Sequence, residues 1–412
     1  MRRRFYRGAV LFVAACTALA ACSSSGSSGT GSTTGPGTSK TITIGFVTDL
    51  TGVASSGFLT SKLGIDAYLN HLNATGGADG YKIKYILADT NSTPTGALTA
   101  VQKLVQQNNV FAIVENSSDF FGAEPYALAQ GIPVVGSGID GPYWGDPKKT
   151  NIFDAAGPTN EDYELAAQGT FMKSQGVTKC ASLGYAGSPS SALAAQGFVV
   201  SCQKAGLKSG YLNTQFPFGS TNVGPIALAM KAAGVDGLFL PTVPSTSFAL
   251  VEALHLLGAH LKAVLLPTGY GGDFLSSPAA IAAGQGLDFE PIGLPAEANT
   301  PGTRQRAADL ATVGVTTDPT FAEQFDFLVL TAFVAGLRAA GANPTRQSFM
   351  AAMSRITNFN AEGLLAPPAV NFRNYTPTSG CLDLVTLQGP KYVLLPNMPQ
   401  CGPDVKFTNA AG

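Results

Sequence analysis

From Lys40 onward, apolar runs of strand length alternate with longer stretches whose apolar residues recur at helical spacing. This alternation confines the chain to an α/β architecture. Thr41–Val47 opens with period-2 patterning and ends as a buried strand, and a Gly/Ser-rich loop, Thr51–Gly57, follows it. The spacing then predicts a helix over Leu59–Leu72, stopped by Asn73-Ala74-Thr75-Gly76-Gly77. Strands are expected at Lys82–Ala88, Val110–Val114 and Ile132–Val135, with helices at Ala97–Gln107 and Gly122–Ala129. The pattern restarts with a helix over Glu161–Gln175 and strands at Cys180–Gly184, Gly210–Gln215, Gly237–Leu240 and Ala263–Leu266. Helices at Ser190–Ala205, Pro225–Ala233 and Ser247–Leu257 separate those strands. Strands joined through helices favour parallel sheets covered on both faces. Phe321–Ala340 is long and apolar, but Glu323, Asp326 and Arg338 mark it as a buried core helix rather than a membrane span. The C-terminal region reads as a hairpin, Leu382–Leu387 and Tyr392–Leu395 around Gln388–Lys391, with Cys381 and Cys401 just outside the two strands.

The segment before Lys40 has a different character. Arg2, Arg3, Arg4 and Arg7 precede an apolar run, Ala9–Ala18, which is too short to span a bilayer. Leu19-Ala20-Ala21-Cys22 closes the segment and resembles a bacterial lipobox. That resemblance implies removal of residues 1–21 and attachment of diacylglycerol to Cys22, with the protein held by lipid at the outer face of the cell membrane or in the periplasm. Ser23–Ser39 is nearly all Ser, Gly and Thr, so it is expected to be a flexible tether, residues 22–39, with a root-mean-square reach of about 23 Å.

Loss of the signal leaves 21 Lys+Arg against 26 Asp+Glu, a net charge of −5. There is no basic stripe, so nucleic acid is not expected as a partner. Cys16 leaves with the signal and Cys22 is spent on lipid, which leaves Cys180, Cys202, Cys381 and Cys401. The strand and helix placement favours Cys180–Cys202 and Cys381–Cys401 bridges, compatible with export. The competing four-cysteine zinc site lacks the C-x₂₋₄-C spacing such sites favour, so no metal is expected.

Several pieces in order make the chain resemble the leucine/isoleucine/valine-binding family of type I periplasmic substrate-binding proteins. They are Ile44-Gly45 through Leu50-Thr51-Gly52, the turn Asn73–Gly80, Lys103-Leu104-Val105, Gly131–Val135, and Phe325-Asp326 with Leu337–Gly341. The resemblance runs over about residues 40–395. It implies two doubly wound α/β lobes, joined by a three-strand hinge, that close on a solute in the cleft between them. The expected division is 40–156 plus 293–365 for lobe 1 and 157–292 plus 366–400 for lobe 2. It also implies a monomer, without a cofactor, that delivers its solute to an ABC permease. A sensor or receptor subunit of the same fold is the alternative, and an exported enzyme a more distant one.

The resemblance places a carboxylate-holding serine at Ser117, with Ser118 beside it. Hydroxyls and free backbone N–H groups at a helix start suit an anion there, although such residues also serve as simple caps. The stretch Gly136–Asp140 would offer Gly138 and Ile139, and Asp140 stands where the family usually has threonine. Its carboxylate would suit an ammonium or a sugar-like hydroxyl, or it is a solvated turn residue. In the second lobe Tyr185 comes earlier than the family's tyrosine, whose matching position is near Pro189. Thr268 replaces the glutamate that grips an α-ammonium in amino-acid-binding members. Thr242, Tyr270 and Phe58 complete the candidate lining. The expected solute is small and amino-acid-like, or carboxylate- or amide-bearing. His71, His255 and His260 adjoin no nucleophile motif, and G-x-S-x-G, HExxH and phosphate-loop motifs are lacking, so the chain reads as a binder rather than an enzyme.

Overall fold

A computed structural model describes residues 40–157, 163–275, 278–366, 369–372 and 379–406. The expected signal, Cys22 and the tether lie outside the described residues. Five strands form the first sheet: β1 (Lys40–Thr48), β2 (Tyr81–Asp89), β3 (Ile113–Asn116), β4 (Val134–Gly136) and β5 (Ile152–Asp154). All are parallel, in the order β2-β1-β3-β4-β5. The register aligns Thr48 with both Asp89 and Asn116, which brings the carboxyl ends of β1, β2 and β3 to one edge. That edge is where open α/β sheets bind ligands.

Phe321–Ala340 packs against β3 and against the helix Ser61–Ala74, so residues from the far end of the chain complete this lobe. Sixteen of its twenty residues are buried, as its composition predicts. Thr320 and Glu323 close a reciprocal capping box at its start. Gly64 permits the close helix approach: a Cβ there would lie 2.7 Å from Asp326 Oδ2. Among the described residues, no helix is long and apolar enough to cross a membrane.

The second lobe begins with a difference from expectation. Tyr163–Leu165 is a strand, β6, and the helix that follows covers only Ala166–Ser174. The predicted helix start at Glu161 falls outside the described residues. Then come β7 (Lys179–Tyr185), β8 (Lys208–Phe216), β9 (Gly237–Phe239), β10 (Ala263–Leu266) and β11 (Asp288–Phe289). The chain later returns as β12 (Ser379–Leu382), β13 (Val385–Gln388), β14 (Lys391–Leu394) and β15 (Gln400–Lys406). The large sheet runs β14-β13-β11-β10-β9-β7-β8, with the β13–β14 hairpin antiparallel at one edge.

A separate three-stranded sheet, β12-β15-β6, lies against the helix Ala166–Ser174. The single hairpin expected at the C-terminus is therefore two pairings. β15 escapes a sequence reading because it alternates too weakly and contains Gly402 and Pro403. Cys381 and Cys401 sit directly opposite each other on β12 and β15 and are bridged. Cys180 on β7 is bridged to Cys202 near the end of the helix Pro189–Lys204. Closing loops of 22 and 20 residues contributes about 3 kcal/mol each on the chain-entropy model.

Candidate functional site

A cavity of about 220 Å³ lies between the two lobes. Phe58, Ser118, Gly138, Ile139 and Phe321 wall it from the first lobe. Tyr185, Ser188, Ser190, Ser191, Ala194, Phe218, Phe239, Thr242, Val243 and Thr268 wall it from the second, and Ile292 also lines it. Nearly every contributor is on a loop after a parallel strand or at the start of the helix after it. Among the described residues the wall contains no Asp, Glu, Lys, Arg or His.

Seven of the ten candidate residues line this cavity: Phe58, Ser118, Gly138, Ile139, Tyr185, Thr242 and Thr268. Gly138 adopts φ +66°, and a Cβ there would sit 2.2 Å from Asp154 Oδ2, so the turn needs glycine. Tyr185, at the end of β7, donates its hydroxyl proton to Thr246 Oγ1 at 2.6 Å and accepts from Val243 N–H at 3.2 Å. Burial pushes its phenol up to about 12, so it stays neutral. Thr268 donates to the Thr242 carbonyl at 2.7 Å, and Thr242 pairs with Ser247 at 2.7 Å. Ser191 accepts from Tyr185 N–H at 3.1 Å and donates to the Pro241 carbonyl at 2.5 Å. These bonds lock the second-lobe loops around the cavity. Phe218 meets Tyr185 edge-on at 4.7 Å, and Phe58 meets Phe321 edge-on at 5.7 Å.

Ser117, Asp140 and Tyr270 do not line the cavity. Ser117 donates to Asp49 Oδ1 at 2.5 Å and accepts from Asp119 N–H at 3.1 Å. Asp140 is fully buried and is neither a pocket charge nor a solvated turn residue. It accepts from Trp144 Nε1 at 2.6 Å, from the Tyr143 hydroxyl at 2.8 Å and from Phe121 N–H. Tyr270 is 2% exposed; it donates to Glu297 Oε2 at 2.7 Å and packs on Tyr392 at 4.8 Å.

The expectation of an anion-ready loop at Ser117 is also overturned. Asp49 Oδ2 accepts from Ser118 N–H at 2.7 Å, and its Oδ1 takes Thr90 Oγ1 as well as Ser117 Oγ. Glu115 accepts from Ser117 N–H and from Ser137 N–H, both at 2.9 Å. The protein's own carboxylates thus fill the donor cluster that an outside anion would use. The following element is only a three-residue turn, Phe120–Gly122, which offers little helix dipole. Burial, with Asp140 and Asp49 nearby, raises Glu115 well above the usual carboxylate range, and burial raises Asp140 to about 7.

The sequence missed Phe218, Phe239, Phe321 and Ile292, because a core aromatic and a wall aromatic have the same local pattern. The serines around Pro189 carried a usable signal, since the family's tyrosine position falls there. The three histidines are exposed; His71 faces Asp309 Oδ1 at 3.1 Å.

A family model described as periplasmic binding protein matches residues 41–391. No curated protein matches the chain in sequence. Among solved structures, a solute-binding protein of an ABC transporter from R. palustris in complex with benzoate is 16% identical, with a TM-score of 0.73 over 89% of this chain and 98% of the other. A fatty acid ABC transporter substrate-binding protein from Thermomonospora curvata is 20% identical, with a TM-score of 0.72 over 88% and 92%. A branched chain amino acid ABC transporter protein from Thermus thermophilus with bound valine is 15% identical, with a TM-score of 0.72 over 90% and 97%. At these identities the likeness is one of fold.

Proposed function

The chain belongs to the periplasmic-binding-protein family, and on that premise we propose that it is a lipid-anchored, extracytoplasmic solute-binding protein of an ABC importer. The observation that carries the reading is one cavity walled by strand-end loops of both lobes. A solute there bridges the lobes, so its binding energy favours the closed arrangement over the open one. Docking on the permease then favours the open form and releases the solute. Leu19-Ala20-Ala21-Cys22 supports the anchor, and the Ser/Gly tether would keep the binder at high effective concentration beside its importer. Cys22→Ser is expected to move the protein from the membrane fraction to the soluble fraction; retention in the membrane would remove the anchor from the proposal.

The capture step is tested by a thermal-shift screen over amino acids, organic acids and amides. A hit on the native protein should weaken by at least about 100-fold in Ala194→Trp, because the indole fills the cleft wall. Leu256→Trp serves as the control, since Leu256 is 82% exposed and outside the cavity. Equal affinity in both variants, or no stabilising compound at all, would count against the cleft as the binding site.

A further inference from the structure

The cavity wall has a property that family membership does not supply. Its polar groups are hydroxyls and backbone, its bulk is aromatic and aliphatic, and among the described residues no carboxyl, amine, guanidinium or imidazole side chain lines it. A charge taken from water into such a site needs a partner, and without one the transfer costs several kcal/mol. Three first-lobe donors are closed to an anion, because Asp49 and Glu115 already hold the N–H groups of Ser117, Ser118 and Ser137. The second lobe cannot supply an ammonium's partner, because Thr268 is neutral and spends its proton on the Thr242 carbonyl. Asp140 cannot do so either, with both oxygens committed to Trp144, Tyr143 and Phe121.

Most wall hydroxyls are spent within the protein. Tyr185, Ser191 and Thr268 each donate to a protein acceptor. Ser188 accepts from Ser191 N–H, while its own proton, and the Ser190 side chain, have no acceptor among the described groups. Both line the cavity where the helix Pro189–Lys204 begins. The rest of the wall there is Phe58, Phe218, Phe239, Ile139 and Ile292.

We infer that the captured solute is uncharged: a small, largely apolar molecule whose one polar, hydrogen-bond-accepting end meets Ser188 and Ser190. The inference rests on the solute-capture reading and narrows it, setting aside zwitterionic amino acids and free carboxylates. Its oxygen acceptor is an amide, ester or ketone carbonyl, or an alcohol.

A shape-matched series isolates charge from size. Benzamide, benzoate, benzylamine and phenylalanine share one ring, and isovaleramide with isovalerate repeats the comparison on a branched aliphatic body. Affinities are measured by calorimetry at pH 7.5 on the full chain in lipid nanodiscs, with empty nanodiscs subtracted. At least one amide is expected to bind, with its charged counterparts at least about tenfold weaker. A charged member binding as tightly as its amide overturns the inference while leaving solute capture intact. Failure of both amides overturns it too, and the Ala194→Trp comparison then decides the capture reading separately. In Thr268→Glu the wall gains a carboxylate, and benzylamine should overtake benzamide. An unchanged order in a folded variant would show that position 268 does not face the solute and would overturn the proposed wall.

Discussion

Asp140→Ala is expected to destabilise the protein by about 3 kcal/mol at pH 7.5. The substitution leaves Trp144 Nε1–H, the Tyr143 hydroxyl and Phe121 N–H without their acceptor. Trp144 is 1% exposed, and each stranded buried donor costs about 1–3 kcal/mol. Relief of the carboxylate's own burial offsets part of the sum, which sets the estimate below the three-donor total. Asp140→Asn should lose less, since its carbonyl oxygen can still accept. Urea denaturation of the two variants measures the effect, and solute affinity in the folded fraction should change by less than about threefold. A small stability change accompanied by a tenfold loss of affinity would instead place Asp140 in the ligand site.

Stability should also rise as the solution is acidified from pH 8 to pH 5. Burial raises Asp119, Asp140, Asp288, Glu290 and Glu297 to about 7 in the folded state. Glu115 and Asp326 are also raised well above the usual carboxylate range, again chiefly by burial. An unfolded chain ionises its carboxyls near pH 4. Between about pH 4 and pH 7 the folded state therefore holds protons that the unfolded state has released. Unfolding in this window releases protons, so stability is greatest on the acid side and falls as pH rises through 7. The thermal midpoint at pH 5 should exceed that at pH 8 by on the order of 10 °C, from a stability difference of several kcal/mol. Calorimetric scans across the range check this, and a flat or inverted profile would mean that these carboxyls are paired or solvated. Asp140→Ala should flatten the profile slightly, which ties the two experiments together.

The first expectation, and part of the second, come from the acidic cluster behind the first-lobe wall, and the sequence indicated only part of it. Ser117-Ser118-Asp119 after a strand reads as an anion cradle, because the pattern shows donors and not who fills them. Asp49 lies 68 residues before Ser117, and only the β1–β3 register brings it within 2.5 Å. Asp140 reads as exposed or ligand-facing because a turn aspartate usually is. Its burial depends on Trp144 folding back over it, which local propensity does not encode. Tyr270 likewise follows a strand as a wall residue would, yet it turns away to Glu297.

The two-lobe plan was implied by the family resemblance; the patterning of the sequence by itself determined the α/β class, the buried state of Phe321–Ala340 and the two cysteine pairs. Those follow from periodicity, order and local spacing, which act over a few residues or through one sheet. It also carried the neutral Thr268, the first sign that an α-ammonium has no acid to meet. Only the tertiary structure decided which residues face the cleft, that Asp49 and Glu115 occupy the donor cluster, and that β15 pairs with both β12 and β6. The physical reason is that facing, pairing and burial are set by contacts between segments far apart in the chain. A buried carboxylate and an exposed one have the same letter until those contacts form.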